Sequence, residues 1–308
     1  MDDLLSNLDA VKKVANASKV NRFFARPLKY VYAILFNKLV YPVSQKGILK
    51  KTDTFFGLPL HVLLPAGTDI FLAGGKTHDS EIRLARFLIR QLKPGDTFVD
   101  IGAHFGYFSL LASRLVGPGK IYAFEASENT FEVLKKNVAA VENIYPLHRA
   151  VSDASETIEF YELPVVYSEY NTMELQQFED EAWYLKVKPE KKTVAAVALD
   201  DFLKESASGP AVIKIDVEGA ELKVIRGGAK YLGSHSPVVI MEYLEHRRNN
   251  RNHKMAIDLL RELHYRPHSI TVTGDLAPCE DIDARLLADG LESDNIVFTK
   301  NNFYPSTY

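Results

Sequence analysis

The sequence predicts an α/β protein built on a mostly parallel sheet with helices on both faces. Three observations predict it. From Asp96 onward, apolar runs of strand length alternate with helix-length segments whose apolar residues recur at i, i+3, i+4 and i+7. The runs AVIKIDV (211–217) and VVIMEY (238–243) are apolar almost without a break, as strands covered on both sides must be. The chain has 308 residues, 46% of them hydrophobic, and a chain of this size buries roughly three quarters of its surface without disulfides.

The first fifty residues read as helical. Leu4, Leu8, Val11 and Ala15 share one face, and a second amphipathic segment runs through Phe23, Phe24, Tyr30, Val31, Ile34 and Leu35 around Pro27. FFGLPLHVLL (55–64) and DIFLA (69–73) read as two strands joined at Pro65-Ala66-Gly67, and Gly74-Gly75 breaks the pattern. A helix begins near Asp79, carries Ala85, Leu88, Ile89 and Leu92 on one face, and ends at Pro94-Gly95. TFVDI (97–101) is a buried strand, followed by a helix over 105–116 and a turn at 117–119. The strand IYAFE (121–125) and a helix marked by Phe131, Leu134, Val138 and Val141 come next, then a third strand over 145–151. AVIKIDV precedes a helix over 219–232, and VVIMEY precedes one with Ala256, Leu259, Leu260 and Leu263 on one side. Strands at 268–273 and 295–299 close the pattern. Residues 154–209 break the rhythm: TIEFYEL (157–163) and TVAAVAL (193–199) read as strands around a polar, aromatic stretch, an inserted hairpin or flap near the sheet's edge. The expected division is a helical and hairpin segment, 1–76, ahead of a main domain, 77–308, carrying an insert at about 154–209.

The net charge of -3 conceals an asymmetry. Residues 1–51 hold ten Lys or Arg against three Asp, a balance of +7, and the remainder is -10. A phosphate backbone demands the opposite field to that of the acidic main domain, so nucleic acid is not an expected partner. Cys279 stands alone, which excludes a disulfide scaffold or a cysteine zinc site and fits a reducing compartment. The start MDDLL is acidic where a secretory signal is basic, and the apolar stretch from Tyr30 to Tyr41 is too short to span a bilayer. The expectation is a cytoplasmic protein. Its basic first 51 residues either touch an anionic membrane surface or pack as a cap or homodimer arm on the acidic domain.

The most informative segment is Asp100-Ile-Gly-Ala-His-Phe-Gly106, where a strand ends and a helix begins. Ligands of open parallel sheets bind beyond the strands' C-terminal ends, where glycines allow a sharp turn and close approach. Glu125 ends the following strand, 19 residues after Gly106, where a carboxylate can accept from ribose hydroxyls. A dinucleotide fingerprint starting at Gly102 needs glycines at 104 and 107, and His104 and Tyr107 stand there. That leaves an adenosine cofactor without phosphates, S-adenosylmethionine being the candidate. A plainer alternative is an ordinary strand–helix turn at Gly102 and Gly106.

DIGAHFGYFSLLASRL, IYAFEA, the AVSD at 150–153, VIKIDVEGAEL (212–222) and VVIMEY resemble the FkbM-type methyltransferases over roughly residues 78–300. The resemblance implies a class I, Rossmann-like methyltransferase fold of seven strands with an antiparallel C-terminal hairpin, binding S-adenosylmethionine. His104 departs from the family's usual Asn, and Ala126 from the usual Pro. Carried over by position, Asp100, Gly102, Ala103 and Gly106 surround the methionine portion and ribose, and Glu125 holds the ribose hydroxyls. Asp153 accepts from the adenine amino group or is simply a turn residue, and Glu81 faces the cofactor. His104, Ala126 and Asp216 complete the expected lining.

Methyl transfer is an in-line displacement that rests on holding the acceptor about 3–3.5 Å from the methyl carbon. A hydroxyl acceptor gains further from a general base or a metal. Asp216, Glu218 and Glu242 end or follow adjacent strands and meet on one rim of the crevice, as a base among like charges or as three oxygen ligands for Mg²⁺. Glu218 alternatively caps the next helix, Glu221 belongs to that helix's surface, and His104 is a second base candidate or a loop residue. The basic run from His246 to Lys254 beside this rim suits an anionic acceptor, such as a phosphorylated or uronic-acid sugar, or is a solvated loop. Tyr167, Tyr170, Asn171, Trp183 and Tyr184 of the flap either stack on a sugar or pack the insert down. The family implies O-methylation of a sugar hydroxyl on a cell-surface glycan or glycosylated metabolite. The competing functions are an NAD(P)-dependent sugar oxidoreductase and a non-catalytic, membrane-associated scaffold that keeps the fold.

Overall fold

The structure is a computed structural model and describes residues 2–178, 183–204 and 209–300. It begins with the short helices Asp2–Asn16, Lys19–Ala25, Pro27–Leu35 and Tyr41–Ser44. Pro27 takes the first turn of the third helix and disfavours helical geometry at Arg26, so the chain breaks there. Leu8, Val11, Ala33, Phe36 and Tyr41 lie in the same core as Leu84, Leu88 and Phe98 of the main domain.

The expected strands at 55–64 and 69–73 need correction. The hairpin pairs β1 (Ile48–Asp53) with β2 (Pro59–Leu64), its turn falling at 54–58. DIFLA lies instead in a helix, Thr68–Ala73, ended by Gly74 at φ 78°. A five-residue apolar run cannot by itself distinguish strand from helix. The deciding feature is a local turn, in which Thr68 Oγ1 donates to the carbonyl of Pro65 and starts the helix.

After the helix Asp79–Gln91 come β3 (Phe98–Ile101), β4 (Ile121–Glu125) and β5 (Ile144–His148), linked by helices Tyr107–Val116 and Glu128–Val138. The expected strand 145–151 divides. Beyond β5 the N–H of Arg149 bonds the carbonyl of Leu147, and β6 (Ala150–Ser152) leaves the main sheet. There β6 joins β7 (Thr157–Glu162) and β8 (Glu190–Ala198) in a small sheet of order β6-β8-β7, which gives the insert its hairpin. β9 (Val212–Ile215), β10 (Val238–Leu244), β11 (Arg266–Ile270), β12 (Leu276–Pro278) and β13 (Ser293–Thr299) complete the chain.

The main sheet runs β12-β11-β13-β10-β9-β3-β4-β5, with β13 antiparallel to both its neighbours. It has eight strands rather than seven because the three-residue β12 adds an edge to β11. Alternation along the strands fills two separate cores. Phe98, Ile121, Val212, Ile240 and Val297 face one, and Val99, Phe124, Ile213, Met241 and Phe298 the other. The chain starts at β3, builds outward through β4 and β5, then returns to add β9 on the other side. This is a class I methyltransferase-type, doubly wound α/β fold, and its topological switch point opens a crevice between β3 and β9. The helix expected over 219–232 is divided at Gly227-Gly228 into Glu221–Gly227 and Ala229–Ser234. A β-carbon at Gly227 would lie 2.0 Å from the Ser152 carbonyl oxygen, so glycine lets this helix sit against β6. No helix among the described residues is long and apolar enough to cross a membrane.

Candidate functional site

The crevice is a cavity of about 360 Å³ at the C-terminal ends of β3, β4, β9 and β10. Nine of the residues singled out in the sequence line it: Glu81, Gly102, Ala103, His104, Glu125, Ala126, Asp216, Glu218 and Glu242. Three do not. Asp100 is fully buried beneath the cavity, where Ser109 donates to it at 2.7 Å and Lys214 Nζ stands 3.5 Å away. Gly106 precedes the helix Tyr107–Val116 at φ 83°. Asp153 is exposed and bonded only locally, its Oδ1 accepting from Ser152.

The loop after β3 is held by the N–H groups of Gly102 and Ala103, both donating to the Phe124 carbonyl at 3.0 and 2.8 Å. His104 adopts φ 50°, which turns its N–H onto Glu125 Oε2 at 2.9 Å, while the Ser127 N–H donates to Oε1 at 2.9 Å. Burial pushes the Glu125 carboxyl up to about 7, and these two N–H groups oppose the rise. The His104 ring lies on Phe105 and meets the Ser168 hydroxyl at 3.2 Å. Burial, then the charge of Lys76, pushes its imidazole down to about 3, so it is neutral and a weak proton acceptor at pH 7.

Two lysines that sequence reasoning missed organise the other wall. Lys214 sits in the middle of VIKID, 2% exposed, with Nζ 3.1 Å from Asp216 and 3.5 Å from Asp100. Lys76 pairs with Glu81 at 3.0 Å, and its charge also acts on Glu169 and Asp216. Burial disfavours charge on Asp216, but Lys214 and Lys76 outweigh it and hold the carboxyl below its ordinary range. Glu169 comes from the flap, and burial raises it to about 7 against the pull of Lys76. A lysine inside an apolar run was the one available signal for Lys214. Nothing local distinguished Lys76 or Glu169.

Glu218 and Gly219 take φ of 51° and 96°, a sharp turn after β9 that aims Glu218 into the cavity rather than along the next helix. The flap secures the turn: Thr172 donates to the Glu218 carbonyl at 2.6 Å and Gln177 to its carboxyl at 3.2 Å. The helix-capping alternative falls instead to Glu221, whose Oε1 accepts from the Val217 N–H. Nor is Glu221 on a helix surface. It is buried against His253 of the helix Arg251–Glu262, at 3.3 Å. Ligand oxygens of Asp216, Glu218 and Glu242 lie within 4.8 Å of one another. Burial raises Glu242 to about 8 with added repulsion from Asp216, and raises Glu218 well above its ordinary value with added repulsion from Glu242.

The basic run divides: Arg248 lines the cavity, His253 is buried, and Lys254 pairs with Asp283 at 2.9 Å. In the flap Trp183 stacks on Tyr167 and Tyr170 at 4.5 and 5.2 Å, so these rings pack on one another, with Tyr170 also reaching the cavity wall. The arrangement can accept a proton at Glu242 or Glu218, and Glu125 can hold a diol from the opposite side.

The sequence model of the Methyltransferase FkbM domain matches residues 100–267. A hexuronic acid methyltransferase AglP from Haloferax volcanii is 27% identical over 158 residues, covering 50% of this chain and 59% of that protein. A protein from Beauveria bassiana named Methyltransferase 1 is 31% identical over 148 residues, covering 44% and 59%. The chain therefore spans about three fifths of the length of these curated relatives. Among solved structures, the methyltransferase FkbM of Methylobacillus flagellatus is similar with a TM-score of 0.42 and 12% identity, over 76% of this chain and 52% of that one. With its domain matched over more than half its length, the chain belongs to the FkbM methyltransferase family.

Proposed function

We propose that the chain is an S-adenosylmethionine-dependent methyltransferase acting on a hydroxyl of a sugar, with an anionic sugar such as a uronic acid as the preferred class. The observation that carries this reading is the make-up of the cavity wall. Eight carboxyl groups line it against four cationic side chains, and burial leaves several of the carboxyls partly neutral at pH 7, so the wall offers hydrogen-bond acceptors for hydroxyls and no net positive field for the pyrophosphate of a dinucleotide. S-adenosylmethionine, when bound, supplies an electrophilic methyl group on a positively charged sulfur.

The chain's own residues fit that group. Each oxygen of Glu125 already accepts one N–H, and a carboxylate has about four acceptor sites, so capacity remains for two ribose hydroxyls. Gly102 and Ala103 offer backbone to the cofactor, and Asp216, kept ionised by two lysines, offers fixed negative charge. Glu242 is the base: its raised carboxyl takes the proton of the acceptor hydroxyl, a role for which a pKa near working pH is best. Arg248 at the rim supplies a cation for an acidic sugar, and the naming of one relative for hexuronic acid supports that class.

The closeness of Asp216, Glu218 and Glu242 favours a second version, in which these three hold a Mg²⁺ ion whose chemistry is to acidify the bound hydroxyl. Calorimetric titration tests the common core: S-adenosylmethionine binds, NADP⁺ does not, and Glu125→Ala weakens the first by at least about tenfold. Binding of NADP⁺ without S-adenosylmethionine overturns the reading. In turnover with uronic-acid glycans, Glu242→Gln lowers kcat about 10²–10⁴-fold with cofactor affinity unchanged. Full turnover in a chelator leaves Glu242 as base, whereas loss restored by Mg²⁺ selects the metal version.

A further inference from the structure

The helices Lys19–Ala25 and Pro27–Leu35 and the turns that follow to Ser44 are apolar on two sides. The inner side, with Ala33, Phe36 and Tyr41, is buried in the main core. The outer side carries Leu28, Val31, Leu35, Leu39 and Val43, all exposed and spaced by three or four residues along 27–44, with Phe24 exposed on the preceding helix across the break at Arg26. Leu28 is 86% exposed, Val43 85% and Phe24 73%. Of the fifteen large hydrophobic residues exposed among the described residues, nine fall between Val20 and Val43, so this is a patch and not scatter.

Charge identifies what covers it. Between Asp9 and Asp53 the sequence has ten Lys or Arg and no acidic residue, and Arg22, Arg26, Lys38 and Lys46 are exposed on the same segment. An isologous dimer would set this basic patch against its own copy, and like charges would oppose the contact. An anionic bilayer surface offers both things the patch lacks, an apolar layer for the leucines and phosphate charge for the lysines and arginines. We propose that residues 20–46 form an in-plane docking face for an anionic phospholipid membrane. Beneath them lies a second cavity of about 490 Å³, lined in part by Arg26, Tyr30 and Ile34, which shares Asp69 and Glu169 with the site. Docking thus brings the membrane surface next to the flank of the active-site crevice.

Co-sedimentation of the full chain with vesicles tests this without any cofactor or acceptor. At low salt the chain pellets with phosphatidylcholine vesicles containing phosphatidylglycerol, at least about tenfold more than with phosphatidylcholine alone, and high salt weakens the binding. The double variant Leu28→Glu, Val43→Glu alters only side chains that are almost fully exposed, so it keeps the parent's melting temperature and its S-adenosylmethionine affinity. It loses at least about tenfold of vesicle binding. A chain that stays in the supernatant with anionic vesicles overturns the proposal, as does a double variant that still binds like the parent. A dimer seen by ultracentrifugation and dissolved by the same two substitutions also overturns it, assigning the face to a second copy.

Discussion

The α-carbon of Gly102 lies against the carbonyl of Asp216, so closely that a β-carbon at 102 would stand 1.8 Å from that oxygen. With φ at 79°, the glycine is required twice over: by the left-handed turn after β3 and by the neighbouring strand end, which enters the space a side chain would need. The pairing of β3 with β9 is thus what brings the loop after β3 and the carboxylate rim together.

Gly102→Ala should therefore destabilise the chain by about 2–4 kcal/mol, more than the roughly 1–2 kcal/mol of left-handed strain alone. Gly95 supplies the control, since its φ is 93° but nothing lies within 4 Å of a β-carbon there. Thermal melts of the two alanine variants should separate clearly, with Gly102→Ala the lower. Equal melting temperatures would mean that the backbone of Asp216 yields easily and that the contact positions nothing.

Lys214 of β9 lies between Asp100 of β3 and Asp216 just past the end of β9, in the wall of the site. Replacing it by Met keeps much of the volume but leaves Asp100 and Asp216 facing each other in a buried place. Breaking a buried ion arrangement from one side costs about 3–5 kcal/mol. Urea unfolding of Lys214→Met should show a loss of that order with an unchanged m-value. The charge of Lys214 is also what keeps Asp216 ionised against burial, so the variant's cofactor affinity should fall even under conditions where it is fully folded.

The parts of this architecture that could be read from sequence are those decided by local pattern. β3, β4, β9 and β10 are legible because each is a short, mostly apolar run bounded by turn signals and followed by a segment of helical period, and the rim of Asp216, Glu218 and Glu242 follows from adjacent strand ends. The helix Thr68–Ala73 is not legible because DIFLA is shorter than two helical turns, too short to show a period, and its start depends on a bond from Thr68 to Pro65. Glu221 was assigned to a surface because its own helix gives no hint that the helix Arg251–Glu262 covers that side. Lys76 and Glu169 meet only when the flap folds over the crevice, a juxtaposition of residues 93 positions apart.

Glu125 should make cofactor binding depend on pH. Its carboxyl, raised to about 7 by burial, is partly protonated at neutral pH, and hydroxyl donors from a ribose favour the ionised form. Affinity for S-adenosylmethionine should rise as pH increases towards 7 and level off above it, by about tenfold for each unit that binding lowers the carboxyl's pKa. Glu125→Gln, which cannot ionise, should bind more weakly and show no such slope. The same group acts oppositely on folding. A raised carboxyl contributes stability that is complete below its ordinary 4.5 and is lost as pH climbs to about 7. A parent enzyme whose affinity is flat between pH 5.5 and 8 would sink the assignment of Glu125 to the ribose.

The buried pair of Glu221 and His253 gives a test based on stability alone. Both are 1% exposed, with Oε2 and Nε2 3.3 Å apart. Burial raises Glu221 to about 7, with Asp216 adding to the rise and the N–H groups of Val217 and Gly219 opposing it. Burial lowers His253 to about 4, and Arg248 lowers it further. Between those values both groups are neutral in the folded protein, yet the unfolded chain would ionise Glu above its ordinary 4.5 and protonate His below its ordinary 6.5. The carboxyl's contribution to stability therefore falls as pH rises from about 4.5 to 7. The imidazole's contribution grows as pH rises from about 4 to 6.5. Each amounts to about 3 kcal/mol across its window, and in the parent they largely cancel. Single variants should uncover the two slopes: Glu221→Gln gains stability from pH 4 to 6.5 relative to the parent, and His253→Gln loses it from pH 4.5 to 7. Chemical denaturation at half-unit pH steps measures both. Both slopes reversed, with stability falling as pH rises in Glu221→Gln and rising in His253→Gln, would show that the remaining group is charged in the folded state and that burial does not keep it neutral.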